Sequence, residues 1–354
     1  MVKEITPILM DNNFNKIMLF ENYKSLIWTT RYYDHGDFQL TIPFDPEVVQ
    51  YCQCTYYIVR TDDDNVGIIE NIDARITETN ERYVVLSGRF LTQILARRII
   101  AQQTQVSGTV ASAINKLIND AIINPTIPER KISNFILGDY TTTDTIEAQY
   151  TGKNLFTVIH DICLQYGLGF KVTLNANNQF VFQLYKGTDR SFNQDVNPHV
   201  VFSDQMDNLI NAEFQVDFKN VITAVLAAGE GEGLQRKTVW AVSDTLSVLT
   251  ATGLYRYEYY LDARNTSTND GEISDEEYLN QLSELAQEQF TTYEMKAAGE
   301  ANFEFLDYQT DIFVGDIVSV VDANIGLNTS VRIIEIIESI DENGMYTLVP
   351  TFGV

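Results

Sequence analysis

Alternating apolar and polar positions recur along most of the chain and predict a protein built mainly of strands. The pattern is clearest after Asp207, where the chain enters a β-branched run at 221–225, which is typical of a strand. The run stops at three alternating glycines, Gly229, Gly231 and Gly233. Such spacing suits a strand end that twists, bulges or lets another backbone come close. We therefore interpret these glycines as structural.

A glycine-rich run can also cradle a phosphate, because its N–H groups can point at an anion. Here the residues between the glycines are Glu230 and Glu232, whose charges repel phosphate. Neither a Lys-Ser/Thr pair nor a helix start follows. The nucleotide-binding interpretation is therefore disfavoured.

The pattern divides the chain into three regions, 1–100, 101–198 and 199–354. The first and third regions alternate with period two and are punctuated by turn residues, which indicates strands. The predicted strands are Lys16–Phe20, Ser25–Tyr33, Asp37–Ile42, Thr55–Thr61, Gly67–Thr79, Arg82–Leu86, Ala301–Leu306, Ile317–Val321, Ser330–Glu338 and Met345–Pro350.

The middle region has helical periodicity, which together with a predicted hairpin indicates a small α+β unit. Its first helix is predicted to be capped by Ser107 and to stop at Asn124-Pro125. Its second carries an apolar stripe from Leu155 to Tyr166 and ends at Gly167. A hairpin of Gly169–Leu174 and Gln179–Tyr185 is predicted to follow.

The third region contains one more predicted helix and one unusual strand. Ser274 and Glu277 form a capping box, and the helix is predicted to extend to Gly299. The strand within 330–340 carries apolar residues on both faces. We expect it to be covered on both sides, or to close a barrel whose outside meets a partner.

Composition narrows the function classes. The chain has 24 Lys and Arg against 49 Asp and Glu, a net charge of −25. This charge disfavours binding to the phosphate backbone of nucleic acid. The acidic charge is compatible with a surface that nucleic acid passes without sticking, although solubility alone is the favoured explanation. Nineteen Tyr and nineteen Phe favour strands. Neither a signal peptide nor a membrane-spanning segment is predicted.

Candidate chemical groups are few, and each has a structural interpretation. The aspartates at 62–64 lack the ligand spacing of a calcium loop and indicate a solvated turn. His160 and Cys163 could form a nucleophile pair, but on a helix they point about 60° apart. Cys52 and Cys54, in a strand-like run, are expected with Cys163 to be buried and reduced, because C-x-C alone is a poor zinc site. We predict no catalytic residue, metal or cofactor.

Four blocks of residues follow one another along nearly the whole chain. They contain Trp28, Gly36 and Phe38; then Gly88 and Arg89; then Asn220, Gly229, Gly231, Gly233, Asp262 and Arg264; and finally Gly315 and Asp316. This ordered set resembles the siphophage-type tail hub proteins. That family is related to the baseplate hub of contractile tails and to the N-terminal hub part of tail-associated lysins.

The resemblance implies a β-rich α+β fold with two β-barrel-like tube domains, at 1–100 and 199–354. It places a small α+β insertion domain at 101–198 and an inserted helix near 274–299. It also implies a homotrimeric, pseudo-six-fold ring that joins the tail tube or distal tail protein to a spike or fibre. Its channel would carry tape measure protein, with DNA only as passing cargo.

The resemblance further implies a place at the distal end of a phage tail or tail-like bacteriocin, assembled in the bacterial host cytoplasm. The motif residues would be structural, and the family transfers no catalytic residue. Because the last predicted strand lies at the end of the sequence, a hydrolase or spike is expected on a separate polypeptide.

Two other functions stay open. A tail-associated peptidoglycan hydrolase would need paired carboxylates or a metal in a cleft. A host carbohydrate-binding tail protein is suggested by the abundant aromatic residues, although their spacing favours packing in the core.

Overall fold

The computed structural model describes residues 5–76, 80–206, 208, 210–217, 219–243, 251–266, 273–290, 294–300, 308–324 and 327–353. Side chains are described over the same ranges except at 210–217, 234, 294–300 and 327. The predicted strand Ala301–Leu306 lies outside the described residues.

The described residues form twenty-two strands and four α-helices. The strands are β1 (Ile8–Met10), β2 (Lys16–Leu19), β3 (Ser25–Arg31), β4 (Asp37–Pro43), β5 (Tyr57–Val59), β6 (Val66–Ile68), β7 (Asn71–Ile76), β8 (Arg82–Arg89), β9 (Thr104–Thr109), β10 (Phe135–Leu137), β11 (Thr145–Tyr150), β12 (Gly169–Leu174), β13 (Phe180–Tyr185), β14 (Val201–Ser203), β15 (Ile210–Asp217), β16 (Ala224–Ala228), β17 (Thr238–Val242), β18 (Glu258–Asp262), β19 (Glu294–Glu300), β20 (Ile317–Asp322), β21 (Leu327–Ile340) and β22 (Tyr346–Gly353). The helices are α1 (Pro46–Val49), α2 (Val110–Ile118), α3 (Leu155–Tyr166) and α4 (Asp275–Gln287).

One large sheet contains strands from both the first and the third region. Its main path runs β15-β19-β22-β21-β3-β4-β8-β7, and β14 and β20 join it at the side of β21. The fourteen-residue β21 makes this connection, because its first half pairs with β20 and its second half pairs with β3. Strands more than 300 residues apart in sequence therefore lie side by side.

One face of the large sheet is covered by a smaller sheet, β2-β1-β5-β6. Trp28, Phe38 and Leu40 come from the large sheet, and Leu9 and Ile58 from the small one, to form one buried cluster. They occur at alternate positions of their strands, so a single face supplies them. The hydrophobic alternation seen in the sequence is thus the core side of the sheet.

The middle region has its own core, built from α2, α3 and the sheet β10-β13-β12. Helix α3 begins where Asn154 accepts bonds from the N–H groups of the first turn and ends at Gly167, whose φ is 63°. That left-handed cap favours glycine. The predicted second helix and the β12–β13 hairpin are confirmed.

Two predicted helix boundaries are wrong. The cap of α2 is Thr109, whose hydroxyl accepts from Ser112, and not Ser107. Ser107 lies in β9 because residues 104–109 pair with β11. Helix α4 starts at the predicted capping box but ends at Gln287, short of Gly299. Residues 294–300, most of which fall within the predicted helix, form β19, since pairing with β15 and β22 overrides the local helical pattern.

The expectation of three buried cysteines is also wrong in part. Cys52 and Cys163 are buried, but Cys54 is exposed. The C-x-C run follows α1 as a turn rather than a strand, and Thr55 has a positive φ of 78°. The short apolar repeat was mistaken for strand alternation.

The predicted β-rich fold is confirmed, whereas the two barrels are not. Over the described residues the eight-strand path remains open, with β7 and β15 as its terminal strands. A separate sheet of order β17-β16-β18 packs one face on α4. Among the described residues, none of the helices has the length and apolar character required to cross a membrane. The three-domain division stays a prediction.

Candidate functional site

The large sheet has a second face, opposite the core, that is mostly polar. Register places on this side Ser25, Thr29, Arg31, Asp37, Gln39, Asn71, Asp73, Arg75, Ser87, Arg89, Glu335, Ser339, Thr347 and Thr351. We call these fourteen residues the polar face. Apolar Ile27, Val85, Ile337 and Val349 are interspersed among them. Thr29 and Val85 are buried within this face, whereas Gln39, Asn71 and Arg75 are exposed.

Charges on the polar face are paired across strands. The Arg31 Nε lies 2.6 Å from Glu335 Oε2, and its Nη1 lies 2.5 Å from Asp37 Oδ2. The Thr351 hydroxyl donates to Glu335 Oε1 at 3.0 Å. Burial lowers the pKa of Arg31, but Asp37 and Glu335 raise it above its ordinary value overall. Over the whole polar face, the three arginines balance the three carboxylates of Asp37, Asp73 and Glu335.

The first block of motif residues lies in the core beneath the polar face. Trp28 sits opposite Phe38 in the β3–β4 ladder, and its ring centroid is 4.6 Å from that of Phe90. Added Cβ atoms at Gly36 and Gly88 would lie only 2.1 Å from the Thr29 carbonyl oxygen and 1.8 Å from that of Ile68. Both glycines thus permit close backbone approach, for which any side chain is too large.

Arg89 ends β8 and binds the carboxylate of Glu70, with Nε to Oε2 at 2.8 Å and Nη2 to Oε1 at 2.9 Å. Such bidentate pairs fix orientation as well as adding energy. The bond joins the end of β8 to the loop before β7. The role of Arg89 visible in the structure is therefore to hold this end of the sheet.

The core also contains a buried arginine, Arg60, that the sequence analysis did not predict. The Arg60 side chain is fully buried and lies 5.3 Å from the Trp28 ring centroid. It bonds Asp62 at 2.6 Å and Glu338 at 2.9 Å, and the Glu338 side chain is only 2% exposed. The signal in the sequence was a lone arginine ending the apolar run at 56–59.

The glycine run at 229–233 lies next to Asp262 and Arg264, two other residues of the same motif block. Gly229 directly follows β16, and an added Cβ there would lie 2.3 Å from the Tyr278 hydroxyl oxygen. Asp262 accepts from Arg264 and Arg236, which lower its pKa to about 2. Arg236 also donates to the Gly229 carbonyl at 3.0 Å. The predicted strand end is confirmed, and the run is anchored by an acid–base cluster.

The remaining motif residues lie elsewhere. Asn220 is in the turn that precedes β16. Gly315 has a φ of 101°, and Asp316 is 1% exposed. The Asp316 carboxylate accepts from Thr188 N at 2.8 Å and Arg190 Nε at 2.9 Å. It thereby ties the end of the middle region to β20, so the motif residues fall at three separate places.

The candidate chemical groups are held in structural contacts. Cys163 is buried, and this burial raises the pKa of its thiol. His160 Nδ1 lies 3.0 Å from Asp161 Oδ1. Asp63 accepts from the Asn65 N–H at 2.6 Å within its turn and from Gln309 at 2.9 Å. Over the described part of the chain, no group of three or more His, Cys, Asp or Glu side chains is placed to hold a metal.

Comparison with known proteins assigns the family. A family model described as siphovirus ReqiPepy6 Gp37-like protein matches residues 6–354. The chain belongs to this family. A search of the curated proteins finds no match. The predicted resemblance to phage tail proteins is confirmed by this match and by the fold.

The fold is similar to that of phage tail proteins over nearly its whole length. The tail protein from Neisseria meningitidis MC58 has a TM-score of 0.58 at 15% identity, over 99% of this chain and 97% of that one. The 43 kDa tail protein of prophage MuSo2 from Shewanella oneidensis gives 0.56 at 12%, over 98% of both chains. Prophage tail protein gp18 from Listeria monocytogenes EGD-e gives 0.54 at 10%, over 98% and 94%. Likeness at such identities establishes the fold.

Proposed function

We propose that the chain is a structural protein of the phage tail and acts as a hub, through assembly rather than catalysis. The observation that carries the proposal is the large sheet, which has two terminal strands and one polar face. The family match and the tail-protein fold support the same function. A tail-like bacteriocin would use such a hub in the same way.

The terminal strands supply a way to close a ring. Exposed sheet edges pair readily with strands of another chain, so β7 of one copy can pair with β15 of the next. Such a head-to-tail contact closes on itself when the rotation fits. Three eight-strand paths would give about twenty-four strands, enough for a barrel with an aqueous channel. A homotrimer closed in this way would have three-fold symmetry, and its pseudo-six-fold symmetry would come from two similar tube units in each copy.

The polar face would line the channel. Its three arginines and three carboxylates balance, with Arg31 paired to both Asp37 and Glu335, whereas the chain as a whole carries −25. A nearly neutral lining in an acidic protein offers phosphates few cationic contacts. Tape measure protein and DNA could then pass without being retained.

The hub would connect the tail tube or distal tail protein on one side to a spike or fibre on the other, at the distal end of the virion tail. Regions 1–100 and 199–354 would form the two tube units of each copy, and 101–198 would be the insertion. Assembly would take place in the host cytoplasm.

The proposal includes the absence of enzymatic activity. A glycosidase requires a carboxylic acid with a raised pKa next to its substrate. Burial raises the pKa of Glu288 to about 7, although Lys153 and the Tyr150 hydroxyl oppose the shift. Its side chain is only 1% exposed, so a polysaccharide does not reach it. Zymography on bacterial cell walls tests this point, and clearing by the purified chain would contradict it.

Light scattering on the purified chain, with negative-stain imaging of the same peak, tests the hub. We expect the mass of three chains and a ring with a central hole. A monomer at high protein concentration, with no ring in the images, would overturn the proposal.

A further inference from the structure

Two segments twenty residues apart have the same local structure. Gly233 and Gly253 have φ values of 55° and 58°, and each begins a single 3-10 turn. An arginine ends each turn, and strand β17 or β18 follows. The sequence shows the repeat as G-L-x-R followed four residues later by an aromatic residue, Trp240 or Tyr260. This repeat escaped the sequence reasoning.

The two copies of the repeat are arranged around a pseudo-two-fold axis. Strand β17 is antiparallel to the central strand β16, whereas β18 is parallel to it, so β17 and β18 run in opposite directions. Trp240 and Tyr260 both lie opposite Leu226. The axis therefore passes through Leu226, and the two aromatic residues stand on one face, about 10 Å apart.

Each aromatic ring is held by the arginine that precedes the other strand. The Arg256 guanidinium lies 4.7 Å from the Trp240 ring centroid. Arg236 lies 5.9 Å from the Tyr260 ring centroid and donates to its hydroxyl at 2.6 Å. Cation–π contacts of this kind restrict the rings before any partner arrives. Binding then costs less conformational entropy.

We call Leu226, Arg236, Trp240, Val242, Arg256 and Tyr260 the aromatic platform. The opposite face of the β17-β16-β18 sheet packs on α4, whereas Trp240 and Tyr260 on the platform remain 47% and 52% exposed. Of the twenty large apolar side chains that the described residues expose, three belong to the platform: Trp240, Val242 and Tyr260. A group of exposed apolar side chains on one face is typical of an interaction surface, and Trp, Tyr and Arg dominate the energy of protein interfaces.

The charges of the aromatic platform indicate which partner it suits. Arg236 lies 2.8 Å from Asp262, and Arg256 lies 2.5 Å from Glu258. These pairs make the surface neutral in a chain that carries −25. Two copies of this chain repel each other where acidic surfaces meet, and a neutral apolar face removes that repulsion.

We propose that the aromatic platform docks against a second copy of this chain. The inference rests on the self-assembly in the proposed function and adds a second contact to the pairing of β7 with β15. Arg236 and Arg256 act as positioning residues for the two rings. The platform would then be an obligatory part of the ring rather than a site for host glycans.

The test compares the full-length wild-type chain with the double variant Trp240→Ala/Tyr260→Ala. Tyr51→Ala is the matched control, because Tyr51 is 49% exposed and lies outside the platform. Light scattering over a dilution series measures the concentration at which the assembly dissociates, and circular dichroism shows that each variant is folded. We expect the double variant to dissociate at a concentration at least tenfold higher than wild type, and the control to match wild type. An unchanged dissociation concentration would overturn the inference.

A photo-crosslinking amino acid in place of Tyr255, which is 50% exposed beside the platform, gives a second readout. We expect an irradiated product of twice the chain mass. Absence of that product from an assembled sample would overturn the inference and leave the ring intact. A wild-type chain that never assembles would refute both proposals, whereas a ring that survives the double substitution refutes only the docking of the platform.

Discussion

At the scale of single residues, this fold depends on polar side chains buried where distant strands meet. Arg60 lies under the Trp28 ring and joins the β5 side of the core to Glu338 in β21. A buried ion pair adds little net stability by itself, but removal of one partner leaves the other charge uncompensated. Arg60 therefore makes the correct register of β21 a condition for a stable core.

We expect Arg60→Ala to lower the free energy of unfolding by about 3 to 5 kcal/mol, since the Glu338 carboxylate would stay buried with its charge no longer balanced by the guanidinium. Urea unfolding followed by circular dichroism measures the change. Arg75→Ala is the control, because Arg75 pairs with Asp73 at the surface with 57% of its side chain exposed. The control should change stability by less than about 0.5 kcal/mol. Equal effects of the two substitutions would contradict the argument.

A second prediction at this scale concerns the close contact at Gly229. Gly229→Ala would push its Cβ against the Tyr278 hydroxyl, which donates to the Thr266 carbonyl and accepts from the Glu230 N–H. We expect a loss of about 1 to 3 kcal/mol in unfolding free energy. In a Tyr278→Phe background the same substitution should cost less, because the clashing oxygen is gone. Additive costs in this double-mutant cycle would show that the clash is unimportant.

At the scale of elements, α4 docks on the middle region through a titratable contact. The Tyr150 hydroxyl of β11 donates to Glu288 Oε1 at 2.6 Å, just beyond the end of α4. Lys153 lies 3.8 Å from the other carboxylate oxygen. Since burial raises the pKa of Glu288 to about 7, this contact loses stability as the carboxyl group ionises.

The sign of the pH effect follows from this raised pKa. The folded state holds the Glu288 proton more tightly than the unfolded state does. The contribution of this carboxyl group to the free energy of unfolding is therefore complete below about pH 4.5 and is lost as pH rises through 7. Relative to Glu288→Gln, wild type should lose roughly 3 kcal/mol of unfolding free energy between pH 5 and pH 8. Urea unfolding at both pH values measures this difference. Glu276→Gln, on the exposed side of α4, is the control and should leave it unchanged.

Local signals predicted some elements well and others poorly. Helix α3 was predictable because its apolar stripe, Asn154 cap and Gly167 stop agree with one another. The end of α4 was not, because β19 forms through pairing with strands distant in sequence. The aromatic platform had a readable signal, a twenty-residue repeat, but its significance depends on two strands flanking β16 in opposite directions.

At the scale of the whole molecule, the large sheet determines the architecture and supplies the edges of the proposed ring. The sequence indicated strand-rich regions at both ends of the chain, but not that β3 and β21 would join them in one sheet. Whether the strands close into barrels could not be predicted from the strand pattern either, because register and shear depend on long-range pairing. The family resemblance, rather than strand pattern, pointed to a tail protein.

A charge on the terminal strand β7 should disrupt the proposed ring. We expect Ile76→Lys to shift the solution mass towards the monomer, because lysine on a sheet edge discourages pairing with another chain. Ile76 is 65% exposed, so the monomer should remain folded. Leu19→Lys, at a 58% exposed position of β2 in the smaller sheet, is the matched control. If both variants assemble like wild type, β7 is not an assembly edge.

The pairing of β3 with β21 also sets an order of events in time. A ribosome adds about 5 to 20 residues per second, so β3 waits on the order of 15 to 60 seconds before its neighbour in the sheet has been made. Until then β3 has only β4 beside it, and strands with such distant partners fold slowly. Each newly made copy therefore completes its sheet only after β21 has been made. Nascent chains on one polysome that still lack β21 are consequently poor partners for one another, and formation of the proposed ring is left to copies that contain it.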